Sequence, residues 1–94
     1  QNIKRKGSLG VNYYQNVPDS VAKRLNYQTG AIVISAFPNT TAAAIGLQKD
    51  DIIVKMNDVA ISKPIFLGIE AKKIRANESI KVQLIRGGKL IELQ

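Results

Sequence analysis

The sequence predicts a small α+β domain, mostly β, in which short strands are accompanied by two or three short helices. Three observations carry this. The apolar segments are short and rich in β-branched residues, as in Ala31 to Phe37 and Asp51 to Met56. Turn signals separate them: Gln28-Thr29-Gly30, Pro38-Asn39, Asn57-Asp58 and Gly87-Gly88. The few helical stretches are short and open on capping residues.

In chain order, Gly10 to Tyr14 reads as a strand, because Val11, Tyr13 and Tyr14 favour extended backbone. Asn16-Val17-Pro18-Asp19 ends it. Asp19 or Ser20 then caps a short helix to about Leu25, with Lys23 and Arg24 on its solvated side. Ala31 to Phe37 is a buried strand. Thr40 or Thr41 caps a single turn, Ala42 to Ile45, which Gly46 closes. Asp51 to Met56 is a further buried strand, and the Asn57-Asp58 turn returns the chain through Val59 to Ile61. Ser62 is expected to cap a helix from about Ile65 to Ile74, with Pro64 in its first turn. Leu67, Ala71 and Ile74 share one face of it; Ile65, Gly68, Ile69 and Lys72 share the neighbouring one. Ile80 to Ile85 alternates as a strand and forms a hairpin with Leu90 to Leu93 across Gly87-Gly88.

The 94 residues suit one domain, with 1–6 as a basic N-terminal segment. The start, Gln1 to Arg5, lacks the apolar stretch of a signal peptide, which predicts a mature fragment or an excised domain. No apolar run approaches the roughly 18–20 residues of a membrane span. The chain has no cysteine and no histidine. Within it, no Ser-His-Asp or Cys-His nucleophile can be assembled, and the usual zinc ligands are missing. The seven acidic residues show no paired spacing that demands an acid/base site. No catalytic residue, metal or cofactor is therefore expected in this chain. The net charge of +7 favours anionic partners. Its basic residues are scattered, only three tyrosines and two phenylalanines are present for stacking, and no common nucleic-acid signature occurs, so nucleic acid is not an expected partner.

The opening stretch, Lys6-Gly7-Ser8-Leu9-Gly10-Val11, is a basic, glycine-bearing loop that runs into the first strand. Successive backbone N–H groups in such a turn can form an anion site. Leu9 and Val11 offer apolar walls, and the following strand offers an edge. Carboxylate socket, apolar pocket and strand edge together are what capture of a peptide C-terminus requires. The same six residues also read as a plain loop that starts a strand, with its charges solvated.

The order of Gly7-Ser8-Leu9-Gly10-Val11, Gly30-Ala31-Ile32-Val33, Pro38-Asn39-Thr40-Thr41-Ala42-Ala43, Ile45-Gly46-Leu47, Asp50-Asp51-Ile52-Ile53, Asn57 and Ile85-Arg86-Gly87-Gly88-Lys89 resembles a bacterial-type PDZ domain over essentially the whole chain. More narrowly, it resembles the first PDZ domain of the HtrA/Deg serine protease family. The resemblance implies a small β-sandwich or partial barrel capped by helices, in the permuted order of those proteases. It implies a carboxylate-binding loop at Lys6, Ser8, Leu9, Gly10 and Val11, with Leu9 and Val11 in the pocket for the terminal side chain. It implies a peptide-pairing strand at Val11, Asn12 and Tyr13, and a groove helix contributing Ile65, Ile69 and Lys72. Ser8 stands where the family often has a large residue. Asp50-Asp51 replaces its Gly-Asp, and Asn57-Asp58 its Asn-Gly. Asp tolerates left-handed backbone, so both turns are expected to survive.

The implied function is a non-catalytic module that captures C-termini or extended segments of unfolded polypeptides by strand addition and feeds or regulates an HtrA-like protease. The implied setting is protein quality control in the periplasm or cell envelope, with the protease domain of an oligomeric parent as a further partner. Two other readings stay open: an assembly module of another parent, and a charge-driven binder of anionic surfaces.

Overall fold

The computed structural model describes residues 10–74 and 79–94. The strands are β1 (Val11–Tyr13), β2 (Ala31–Ala36), β3 (Ile52–Met56), β4 (Val59–Ala60), β5 (Val82–Arg86) and β6 (Lys89–Leu93). The helices are α1 (Asp19–Leu25), α2 (Thr41–Ile45) and α3 (Pro64–Ala71). All strand pairings are antiparallel. The order is β1-β2-β3-β5-β6, with β4 paired to β3. The sheet does not close into a barrel.

Strand β2 serves two neighbours with different halves. Ala31 and Ile32 pair with Ile53 and Ile52 of β3, whereas Val33, Ser35 and Ala36 pair with β1. The register of β1 shifts between Asn12 and Tyr13, a bulge that strengthens local twist. This handover separates β1 from the rest of the sheet and leaves it at an edge.

The core gathers Ala31 and Val33 of β2, Ile53 and Met56 of β3, Val82 and Leu84 of β5, and Ile61, Leu67, Ile74 and Ile80. Helix α3 packs on β2 and β3 through Leu67, which is fully buried. Helix α2 contributes Ala42, with Leu47 just beyond it. No helix among the described residues is long and apolar enough to cross a membrane.

Several boundaries differ from the sequence reading. Helix α3 ends at Ala71, so Lys72 is its C-cap and Ile74 lies beyond it, yet Ile74 still turns into the core. Its N-cap is Lys63 rather than Ser62, with Pro64 at the start, where its missing N–H breaks no helical bond. The N-cap of α1 is Pro18, so Asp19 lies inside the first turn, where its charge suits the helix dipole. Strand β1 stops at Tyr13, although the Tyr14 N–H still donates to the Ile32 carbonyl at 3.1 Å. Thr40 caps α2 and Gly46 ends it, as the sequence indicates.

Both substituted turns hold. Asp50 has φ 72°, and Asn57 and Asp58 have φ 49° and 68°. The latter pair forms the two central residues of a hairpin turn that prefers glycine second. Asp58→Gly is expected to stabilise the domain by about 0.5–1 kcal/mol, because glycine adopts this backbone without strain. The Lys81–Asp58 contact that it removes, at 3.7 Å, is exposed and worth little. A thermal melt showing no gain would count against this account of the turn.

Gly30 is a junction that only glycine fits. Its φ is +105°, and a Cβ built there would lie 2.5 Å from the Ile53 carbonyl oxygen. Its own N–H donates to Ser62 at 3.2 Å, and its carbonyl accepts from the Tyr27 hydroxyl at 2.8 Å. Burial pushes the Tyr27 phenol pKa above its ordinary value.

Candidate functional site

The site is built on the open edge of β1. Among the described residues, β1 pairs on one side only. The Gly10 carbonyl accepts from the Phe37 N–H at 2.9 Å, and the Tyr14 N–H also points to β2. Alternation along an antiparallel strand then turns the N–H and C=O of Val11 and Tyr13 to the opposite, open side. Asn12, between them, directs its backbone to β2 and its side chain to solvent. Val11 and Tyr13 are half-buried and pack against the core.

Helix α3 approaches this edge where its Gly68 meets the Tyr13 hydroxyl. Ile65 is 65% exposed and Ile69 44%, one turn apart on the same face. Large aliphatic side chains so exposed, on a helix whose other face holds the buried Leu67, form an apolar wall with no partner among the described residues. Lys72, also exposed, stands at the end of that wall. Beyond β1, Gln15, Asn16 and Val17 face Lys63, Pro64 and Ile65 of the start of α3 across an open cleft, with Tyr27 at its side. The space between β1 and α3 therefore has main-chain donors and acceptors on one side and aliphatic side chains on the other.

Of the anticipated loop residues, Lys6, Ser8 and Leu9 lie outside the described residues. Gly10 and Val11 are described, and Gly10 has φ +82°. A Cβ at Gly10 would overlap the Cβ of Thr40. The Thr40 hydroxyl donates to the Phe37 carbonyl at 2.6 Å while accepting from the Ala43 N–H at 3.4 Å as the cap of α2. Gly10 is small because of this approach by Thr40, which fastens the end of the opening loop to the α2 cap.

Sequence reasoning missed three features. The first is an ion pair between the residue that precedes β3 and the last residue of β5. Arg86 donates through Nε and Nη2 to the two carboxylate oxygens of Asp51, at 2.8 and 2.7 Å. Asp51 is fully buried. Hydrogen bonding to this carboxylate raises the Arg86 pKa further. The second is the pairing of Arg24 with Asp50 at 2.9 Å, whose hydrogen bond holds the Asp50 carboxyl below its ordinary value. The third is the Gly10–Thr40 approach. A fold-level register was needed to find any of them. No cluster of metal-ligating side chains occurs among the described residues.

Comparison with known proteins places these features in a family. The PDZ domain profile matches residues 1–85. The chain is 30% identical over 88 residues to the periplasmic serine endoprotease DegP of Salmonella typhimurium, covering 93% of this chain and 18% of the relative. It is 27% identical over 90 residues to DegP of Escherichia coli K12, covering 95% of this chain and 19% of the relative. The chain thus spans about a fifth of the length of the curated relatives it matches. Among solved structures, the HtrA-type protease AlgW with decapeptide superposes with TM-score 0.72 at 22% identity, over 94% of this chain and 27% of that one. The HtrA3 PDZ domain bound to a phage-derived ligand (FGRWV) superposes with TM-score 0.72 at 20% identity, over 92% of this chain and 79% of that one. With the profile matched over most of its length, the chain belongs to the PDZ domain family.

Proposed function

We propose that this domain binds peptides by adding them as a strand to β1, with the C-terminal carboxylate held at the loop from Lys6 to Val11. The observation that carries this reading is the edge of β1 left open among the described residues, with α3, which bears the exposed Ile65 and Ile69, approaching it where Gly68 meets Tyr13. Main-chain pairing with Val11 and Tyr13 supplies register, the aliphatic wall supplies an anchor, and backbone N–H groups of the loop meet the carboxylate. Lys6 adds charge at the mouth. Two structural relatives are bound to peptide ligands, a decapeptide and FGRWV, which supports the same use here. The affinity is expected to be roughly micromolar, because a flexible peptide loses much entropy on binding.

The parent in this reading is a periplasmic serine protease of HtrA type, in line with the DegP relatives. The domain presents unfolded or C-terminally exposed chains to the protease domain of an oligomeric parent, and the catalytic residues belong to that protease domain.

Binding of free-acid peptides against their C-terminal amides tests the mechanism. Amidation is expected to weaken binding by about tenfold or more, because a charge-assisted contact is lost. Lys6→Ala is expected to weaken free-acid binding while leaving amide binding unchanged. Equal affinity for acid and amide would reject carboxylate capture and shift the reading to internal segments or to charge alone, which a salt titration separates.

A further inference from the structure

Helix α3 carries one glycine, Gly68, on the face that also bears Ile65, Ile69 and Lys72. A Cβ built there would lie 2.6 Å from the Tyr13 hydroxyl oxygen and 3.9 Å from the Tyr13 Cζ. The Tyr13 side chain therefore leaves the strand edge, runs over the core and ends against the helix backbone. A smaller residue at position 13 would not span this distance, and any side chain at position 68 forces the Tyr13 hydroxyl to move.

We infer that Tyr13 and Gly68 together form a steric filter across the peptide groove, which restricts the ligand residue two before the C-terminus to a small side chain. The inference rests on the strand-addition reading above. A ligand whose carboxylate lies at the loop before Val11 runs antiparallel to β1. Its last residue then lies beside Val11. Side chains two apart share a face, so the residue two before the end turns into the same space beside Tyr13. That space already holds a phenol ring braced on the helix. Alanine, glycine or serine fits over the ring; a phenylalanine or leucine requires the ring to leave its packing in the core. The Ile65 and Ile69 side chains flank the filter and remain free to contact neighbouring ligand positions.

The test uses two acetylated free-acid heptapeptides ending in valine that differ only two residues before the end, alanine in one and phenylalanine in the other. The wild-type domain is expected to bind the alanine peptide about tenfold more tightly or better, a discrimination that a packed pocket can deliver. Tyr13→Val is expected to bring the two affinities within about twofold by improving the phenylalanine peptide, since its ring is the obstacle. Gly68→Ala, at a helix position where alanine ordinarily favours folding, is expected to push the ring into the groove and weaken the alanine peptide by about tenfold. Circular dichroism establishes that each variant is folded. Equal binding of both peptides by the wild type, or unaltered affinity in Gly68→Ala, overturns the filter while the peptide-binding reading stands. Binding of neither peptide, with no binder in a free-acid library, removes the peptide-binding reading itself.

Discussion

Asp51→Ala is expected to destabilise the domain by about 3 kcal/mol, the low end of the range for breaking one side of a buried, hydrogen-bonded ion pair, because the guanidinium it strands is partly exposed. The Asp51 carboxylate is fully buried and holds three donors: Arg86 Nε at 2.8 Å, Arg86 Nη2 at 2.7 Å and the Gln48 N–H at 2.9 Å. Its backbone carbonyl also accepts from the Val33 N–H at 2.8 Å. One residue thereby ties the turn after α2 to β2 and to the end of β5. Arg86 extends the tie by donating to the Gly46 carbonyl at 2.9 Å. Removing the carboxylate leaves the guanidinium with the Gly46 carbonyl but without its charge partner, and the Gln48 N–H without its acceptor. The Arg86 side chain is 31% exposed, so water relieves part of its loss, whereas Asp51 has no such recourse. Arg86→Ala is therefore also costly, since it strands the buried carboxylate. A small domain has only about 5–15 kcal/mol in total, so either single variant lowers the urea midpoint substantially. The double variant is expected to cost little more than the worse single, because the two changes remove the same interaction. Single costs below about 1 kcal/mol that simply add would place this pair with ordinary surface ion pairs and reject the account.

Gly10→Ala is expected to cost about 2–4 kcal/mol, from left-handed backbone strain and from overpacking against Thr40. The neighbour cannot yield cheaply. Thr40 is held by the Phe37 carbonyl and by its own capping role, and the overlap involves its Cβ rather than a flexible tip. Thr40→Gly removes that obstacle and leaves only the strain. In a Thr40→Gly background the cost of Gly10→Ala is expected to fall to about 1 kcal/mol, which chemical denaturation of the four proteins measures. An equal cost in both backgrounds would show that Thr40 is not the constraint. This cycle also bears on binding experiments: a large residue at position 10 disturbs the packing of the loop's end, so lost peptide affinity in such a variant does not report carboxylate contact. Lys6→Ala and peptide amidation are the cleaner probes.

The elements with strong local signals were legible from the residues. The apolar, β-branched run from Ala31 and the Thr40-to-Gly46 capped turn emerged within a residue or so. Asp50 and Asp58 adopted left-handed backbone, as their tolerance for it allowed. The ends of α3 were less legible. Lys63 has no side-chain cap bond, and Ile74 turns into the core from beyond the helix, so its apolar spacing extended the apparent helix by a turn.

What the sequence determined by itself was therefore the local currency: period-two strands, glycine and Asx turns, an apolar stripe on α3, and the ordered motifs that identify the family. Tertiary structure decided what depends on register and approach. Pairing Ile52 with Ile85 brings Asp51 to Arg86, 35 positions apart, and no local pattern marks that ion pair. The bulged pairing of β1 with β2 decides which backbone groups of Val11 and Tyr13 face outward. The docking of α3 decides that Gly68 meets Tyr13 and that Ile65 and Ile69 are left exposed. Propensity and capping act over a few bonds and can be read along the chain, whereas close approach between distant segments is fixed only when the core packs.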